Sequence, residues 1–195
     1  MNAITKIAAN CWVAALLLVL CGPTTSALAE PLACDDGIKA AFRPDADTTV
    51  VAVRSVKKGE ELKAPDAPQP VTAAADLCLV KLLVGPGATA EKDKTARSYS
   101  EGIGIEVWLP THANWNERIR NYGGGGWVGG GHRYADKIGS KVPAIVNANM
   151  GYASGTTDAG QPWYQDGSFA FLSDGKVNAE ALRSFSVDAM VEQAV

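Results

Sequence analysis

Apolar and polar residues alternate most clearly over 102–109. Ile103, Ile105, Val107 and Leu109 fall on one side, and Gly104, Glu106 and Trp108 on the other. A period of two marks a strand with one buried face. A half-buried strand is expected here, stopped by Pro110. Two apolar, β-branched runs precede it, at 48–56 and 77–84, and both read as strands. Gly85-Pro86-Gly87 breaks the second. Between the two strands, 57–70 is polar with prolines at 65, 68 and 70, which predicts a loop. A short helix is expected over 36–42, ended by Pro44.

After a turn at 111–116, residues 117–122 read as a strand that feeds a glycine-rich run. Seven of the nine positions from Gly123 to Gly131 are glycine. In a helix or strand interior each glycine would cost about 0.5–1 kcal/mol against alanine. The run therefore reads as a loop, either a flexible surface loop or a cradle of free N–H groups for an anion or a developing negative charge. Residues 142–147 leave two readings open: a strand leading into 150–156, or the end of a short helix before that strand. A turn follows at 158–161, then a loop over 162–171 with aromatics at 163, 164, 169 and 171. The last stretch reads as a helix with Asn178 as N-cap and Leu182, Phe185, Ala189 and Met190 on one face. It reaches Val195 without a stop signal and reads as cut rather than finished.

Composition places these elements in a globular protein. The chain has 195 residues, 47% of them hydrophobic and 20% charged, which suits one domain or a piece of a larger one. A net charge of −3 and no basic patch interleaved with aromatics argue against nucleic acid as a partner. Lys6, an apolar run over 12–20 and Ala27-Leu28-Ala29 make 1–29 a signal peptide cleaved after Ala29, leaving 30–195 as one unit. The apolar run is too short for stable membrane insertion, and bulky Leu20 before Cys21 argues against a lipid anchor. A secreted or periplasmic protein is expected. Cys11 and Cys21 leave with the signal, so Cys34 and Cys78 remain as an even pair in an oxidising compartment and predict one disulfide. Closing a loop of about 45 residues stabilises by roughly 4 kcal/mol in the chain-entropy model. No His or Asp lies at ligand spacing to either cysteine, and the acidic pairs near 35 and 45 are too sparse for a calcium loop. No metal or cofactor is expected.

Several short motifs occur in a fixed order: Glu106-Val107-Trp108-Leu109-Pro110, then Asn114-Trp115-Asn116-Glu117-Arg118, then Gly123-Gly124-Gly125-Gly126-Trp127-Val128-Gly129, then Gly151-Tyr152-Ala153 with Thr157-Asp158-Ala159-Gly160. This order resembles the opening of the tannase and feruloyl esterase family, and the Cys34–Cys78 pair also looks like that family's N-terminal disulfide. The resemblance implies an α/β fold: an incomplete α/β-hydrolase fold, of which this chain is the N-terminal β-rich part of the catalytic domain. It implies hydrolysis of small aromatic esters, feruloyl or galloyl, by a Ser-His-Asp triad. In α/β-hydrolases one oxyanion donor is a backbone N–H on the loop after an early strand, and the other follows the nucleophile. Gly125 and Gly126 are the candidates for the first, with Gly124 possible.

The departures carry as much weight. No G-x-S-x-G or Cys-Ser-x-Gly-Gly nucleophile motif is present, and His112 and His132 are the two histidines. In this fold the order is nucleophile, acid, then His, so no catalytic residue is assigned and the triad lies past Val195 or is missing. Gln161 stands where the family has His after "TDxG", Gly124 where it has Asn, and the last helix diverges near Asp188 and Val191. His132 reads as a solvated or hydrogen-bonded loop histidine; the competing role is a general base oriented by Asp136. His112 reads as structural. Asp158 reads as an Asx-turn residue, and Trp115 and Trp127 as packing for the loop, the competing role being an aromatic pocket. The expectation is an exported ester hydrolase truncated before its triad and inactive alone. The alternative is a non-enzymatic exported binding module or a degraded gene product. An uncovered sheet edge and apolar face would make such a chain aggregation-prone or partly molten by itself.

Overall fold

The computed structural model describes residues 32–161 and 166–194. The expected signal peptide over 1–29 and the aromatics Trp163 and Tyr164 lie outside the described residues. In chain order the elements are α1 (Gly37–Ala41), β1 (Thr48–Val56), β2 (Glu61–Leu62), β3 (Val71–Thr72), β4 (Leu77–Val84), β5 (Ile103–Pro110), α2 (Val142–Asn149), β6 (Ser154–Thr157), α3 (Ala179–Arg183) and α4 (Ala189–Ala194). The main sheet has the order β1-β4-β5-β6, and every neighbour in it is antiparallel. The three runs of the hydrophobic pattern therefore pair side by side: Lys81 of β4 lies opposite Glu106 of β5, and Glu106 opposite Thr156 of β6.

The strand at β5 is not half-buried, as its alternation suggested. Ile103 and Ile105 face a core that includes Ile38 of α1, Val50, Val80, Leu82 and Ala189 of α4. Trp108, on the opposite side, is fully buried among Leu79 and the α2 residues Ala144, Ile145 and Ala148. With helices on both faces, the inner strands of an α/β sheet lose their polar face. Glu106 is buried all the same, and that exception builds the site.

The sequence 142–149 resolves as helix, with Pro143 in the first turn, where its missing N–H leaves no bond unmade. The expected strand over 117–122 is corrected. Glu117 takes a left-handed φ of 63°, which breaks extension, and the residues after it make one parallel bridge, Ile119 with Ala153. The segment still runs along the outer edge of β6. Ala153 N donates to Arg118 O, Arg120 N to Ala153 O and Tyr122 N to Gly155 O. The path 118–122, loop, α2, β6 is thus a parallel crossover.

The expected loop over 57–70 contains β2, which pairs with β3 and buries Leu62. The final helical stretch is capped by Asn178, whose Oδ1 accepts from Ala181 N at 3.1 Å. Between α3 and α4 it passes through a π-helical turn at Ser184–Asp188. The wider turn shifts the helix face: Ala189 is buried, whereas Met190 is exposed, against expectation. Cys34 and Cys78 form the expected disulfide, tying the approach to α1 onto β4. No helix among the described residues is long and apolar enough to cross a membrane.

Candidate functional site

The loop from Gly123 to Lys141 connects the edge segment to α2, and its two halves differ physically. In the first half, Gly123 to Trp127 are exposed. A Cβ added at Gly125 or Gly126 would meet nothing within 4 Å. Gly126 has φ +59°, a left-handed conformation that favours glycine. No described residue accepts a hydrogen bond from the N–H of Gly125 or Gly126.

The second half is pinned from below. Lys81, in the middle of β4, donates from Nζ to His132 O at 3.0 Å and Tyr134 O at 2.7 Å. The same Nζ is 2.5 Å from Glu106 Oε1. Glu106 in turn accepts from Gly139 N at 2.7 Å, from Ser140 N at 2.8 Å and from the Ser140 hydroxyl. Trp108 Nε1 completes the set by donating to Ser140 Oγ at 3.0 Å. One buried cation thus satisfies the loop's carbonyls, and one buried anion its N–H groups.

A second buried ion pair ties the same loop to the start of β5 and to the turn at 158–160. Arg133 Nε lies 3.4 Å from Asp158 Oδ2, and Arg133 Nη2 donates to Gly102 O at 2.6 Å. Asp158 also accepts from Gly104 N at 2.8 Å and Gly160 N at 2.9 Å, so the Asx-turn reading holds but is half the story. Burial pushes the Asp158 carboxyl up, while Arg133 and then His132 pull it down. Breaking a buried pair of this kind from one side costs about 3–5 kcal/mol.

His132 is buried, not solvated. Its Nε2 shares a hydrogen bond with Thr156 Oγ1 at 3.1 Å, and Nδ1 has no partner among the described residues. Burial holds its pKa below the usual 6.5, and the carboxylates acting on it are Asp158 and Glu106, not exposed Asp136. The hydrogen-bonded reading stands, and an Asp136-oriented base does not form. Thr156 carries the only hydroxyl bonded to a histidine ring among the described residues. No serine–histidine pair of the kind that activates a nucleophile is present among them. The described residues also hold no group of three or more His, Cys, Asp or Glu placed to bind a metal ion.

The two tryptophans part company. Trp127 packs at 5.7 Å, edge-on, against Phe169, ahead of α3, and at 5.5 Å against Phe185, between α3 and α4, fastening the open half of the loop to the C-terminal part of the chain. Trp115 donates from Nε1 to Arg118 O and, with His112, lines an apolar cavity of about 810 Å³ on the other sheet face, beside the disulfide. Sequence reasoning passed over Lys81, Glu106 and Arg133. A lone lysine within Leu77–Val84 and a lone glutamate within β5 were the available signal for the first two, because unpaired charges are rarely buried. Arg133 has no comparable mark.

An antiparallel start, a parallel crossover and a glycine loop ahead of α2 make up this part of the fold. The fold is similar to that of one part of feruloyl esterase and tannase. Feruloyl esterase B from Aspergillus oryzae superimposes with a TM-score of 0.56 at 22% identity, over 82% of this chain and 26% of its own. An esterase from Aspergillus oryzae gives 0.53 at 20% identity, over 82% of this chain and 28% of its own. Tannin acyl hydrolase from Aspergillus niger gives 0.52 at 22%, over 83% and 27%. This chain therefore spans little more than a quarter of the length of these enzymes. No protein-family model and no curated protein matches the sequence.

Proposed function

We propose that this chain carries the oxyanion-binding front of an exported carboxylic ester hydrolase acting on small aromatic esters of feruloyl or galloyl type. The observation that carries the reading is the split loop: the N–H groups of Gly125 and Gly126 meet no acceptor among the described residues, while residues 131–140 are held by two buried ion pairs. Such a loop offers donors that need little reorganisation when a carbonyl oxygen becomes negative. Losing one donor of this type costs about 3–4 kcal/mol of transition-state stabilisation. The aromatic acyl group is supported by the names of two neighbours, a feruloyl esterase and a tannin acyl hydrolase. The disulfide supports export. On this reading the nucleophile, its acid and its histidine come from polypeptide outside these residues.

The 195-residue chain alone is expected to leave ethyl ferulate and methyl gallate intact; turnover abolished by a serine-directed inhibitor would overturn the assignment. Reading the DNA past codon 195 completes the test. An open frame encoding Cys-Ser-x-Gly-Gly, then Asp and His, whose product hydrolyses these esters, is the expected result. A stop codon at that point would favour a non-enzymatic exported module.

A further inference from the structure

Lys81 and Glu106 are a cross-strand pair, 1% and 0% exposed, in the middle of a sheet whose stability does not call for charge. A pair of apolar residues of similar volume would hold β4 to β5 at least as well. What the charges do that apolar groups cannot is bind the loop backbone. Besides Glu106, Lys81 meets only loop carbonyls, those of His132 and Tyr134, with Gly131 O farther off at 3.5 Å. Glu106 is matched only to donors, the N–H groups of Gly139 and Ser140 and the Ser140 hydroxyl. The two side chains close the loop's return limb like a clasp, from residue 131 to residue 140.

That limb fixes where the open half ends. Tyr122 N, bonded to Gly155 O, anchors the near side, and Gly130 N, bonded to Gln161 O, anchors the far side. Gly130 leads directly into the carbonyls that Lys81 holds. We infer that Lys81 and Glu106 are positioning residues for the oxyanion donors on Gly125 and Gly126, acting through residues 130–140 and touching no substrate. The inference rests on the ester-hydrolase reading for its catalytic consequence, but the clasp itself is a property of this chain.

Two variants test it. Glu106→Gln is isosteric, and its amide cannot accept from both Gly139 and Ser140. Lys81→Met with Glu106→Gln removes both charges, so neither is left buried alone. Hydrogen exchange is measured on the 195-residue chain under conditions where β4 and β5 amides keep wild-type protection. Amides over 130–140 are expected to exchange at least about tenfold faster, a local opening free energy lower by ~1.4 kcal/mol. In the ester-hydrolysing full-length product, kcat is expected to fall about 100-fold with KM nearly unchanged, because a donor displaced by about 1 Å is lost mainly from the transition state.

A purely structural pair would lower the melting temperature and leave kcat per folded molecule unaltered; that result, or unchanged exchange over 130–140, overturns the inference. Where both variants fail to fold, Ser140→Ala removes one Glu106 donor without exposing a charge and takes the same two measurements. A wild-type full-length product that hydrolyses no ester sinks the ester-hydrolase reading instead, and the exchange arm then decides the clasp alone.

Discussion

Replacing both cysteines, Cys34→Ser with Cys78→Ser, isolates what the disulfide contributes. The bridge joins positions 44 apart in sequence. A closed loop of that size restricts the unfolded chain by about 13 cal/mol/K, or roughly 4 kcal/mol at 25 °C. The structure adds a local consequence. The helix that the bridge anchors, α1, has five residues and no side-chain N-cap bond, and Ile38 is its one buried side chain. Helices this short do not persist without tertiary support, so α1 should detach before the sheet melts. Urea denaturation of the oxidised wild type against the double variant reads the global loss, expected at about 3–4 kcal/mol. Hydrogen exchange over 37–42 reads the local one, with protection lost there and kept on β4. A loss under about 1 kcal/mol, or equal protection of α1 in both proteins, would refute the argument.

Three further outcomes follow from buried contacts. Gly104→Ala places a Cβ 2.3 Å from Asp158 Oδ2 and 2.8 Å from Arg133 N, so it should break the second ion pair and lower stability by about 3 kcal/mol or more, whereas Gly123→Ala, which meets nothing within 4 Å, should change it by less than about 0.5 kcal/mol; denaturant midpoints compare them. Glu91, held down to about 2 first by the Asp93 N–H and then by Ser173 and Ser98 hydroxyls, contributes stability that is present above its usual 4.5 and lost as pH falls towards 2, so Glu91→Gln should flatten the acid limb of a stability profile between pH 5 and about pH 2. His132 has the same sign for a different reason: burial favours the neutral ring, the unfolded chain takes up the proton first, and stability declines as pH drops below 6.5; His132→Gln should weaken that slope between pH 7.5 and 5.5 in parallel urea titrations, with Asp158, Glu106, Lys81 and Arg133 unchanged around it.

What the sequence revealed followed from local pattern. The strands at 48–56 and 77–84 were legible because continuous β-branched runs bounded by turn residues have few other uses. The small ribbon β2 and β3 was not, since two-residue strands carry no periodicity, and proline density around them pointed to a loop. The alternation in β5 misled about burial because Glu106 counted as polar and therefore outward. Its partner Lys81 lies 25 positions earlier, and only the strand register brings them together. Met190 misled for the opposite reason: a regular helical period was extended through a π turn that the residues did not announce. Gly125 and Gly126 were named as candidate donors from the glycine run together with the family resemblance, whereas the residues that anchor their loop needed the fold.

The glycines themselves sort into two kinds, and the sorting bears on function. At Gly129 a Cβ would lie 2.5 Å from Gln161 O, and at Gly139 2.5 Å from His132 N, so packing within the chain explains both. At Gly124 the Val128 side chain explains the third. Gly125 has open space around it and no left-handed φ that a side chain would resist. Nothing inside the described fold requires glycine there, although glycine makes the unfolded chain more costly to order. A glycine at that cost, beside a left-handed Gly126 and ahead of a limb clamped by two buried ion pairs, leaves the backbone open to close approach from outside the described fold. On the proposed ester-hydrolase reading, an acyl carbonyl oxygen seated on those N–H groups is such an approach, and an absent side chain leaves room for it.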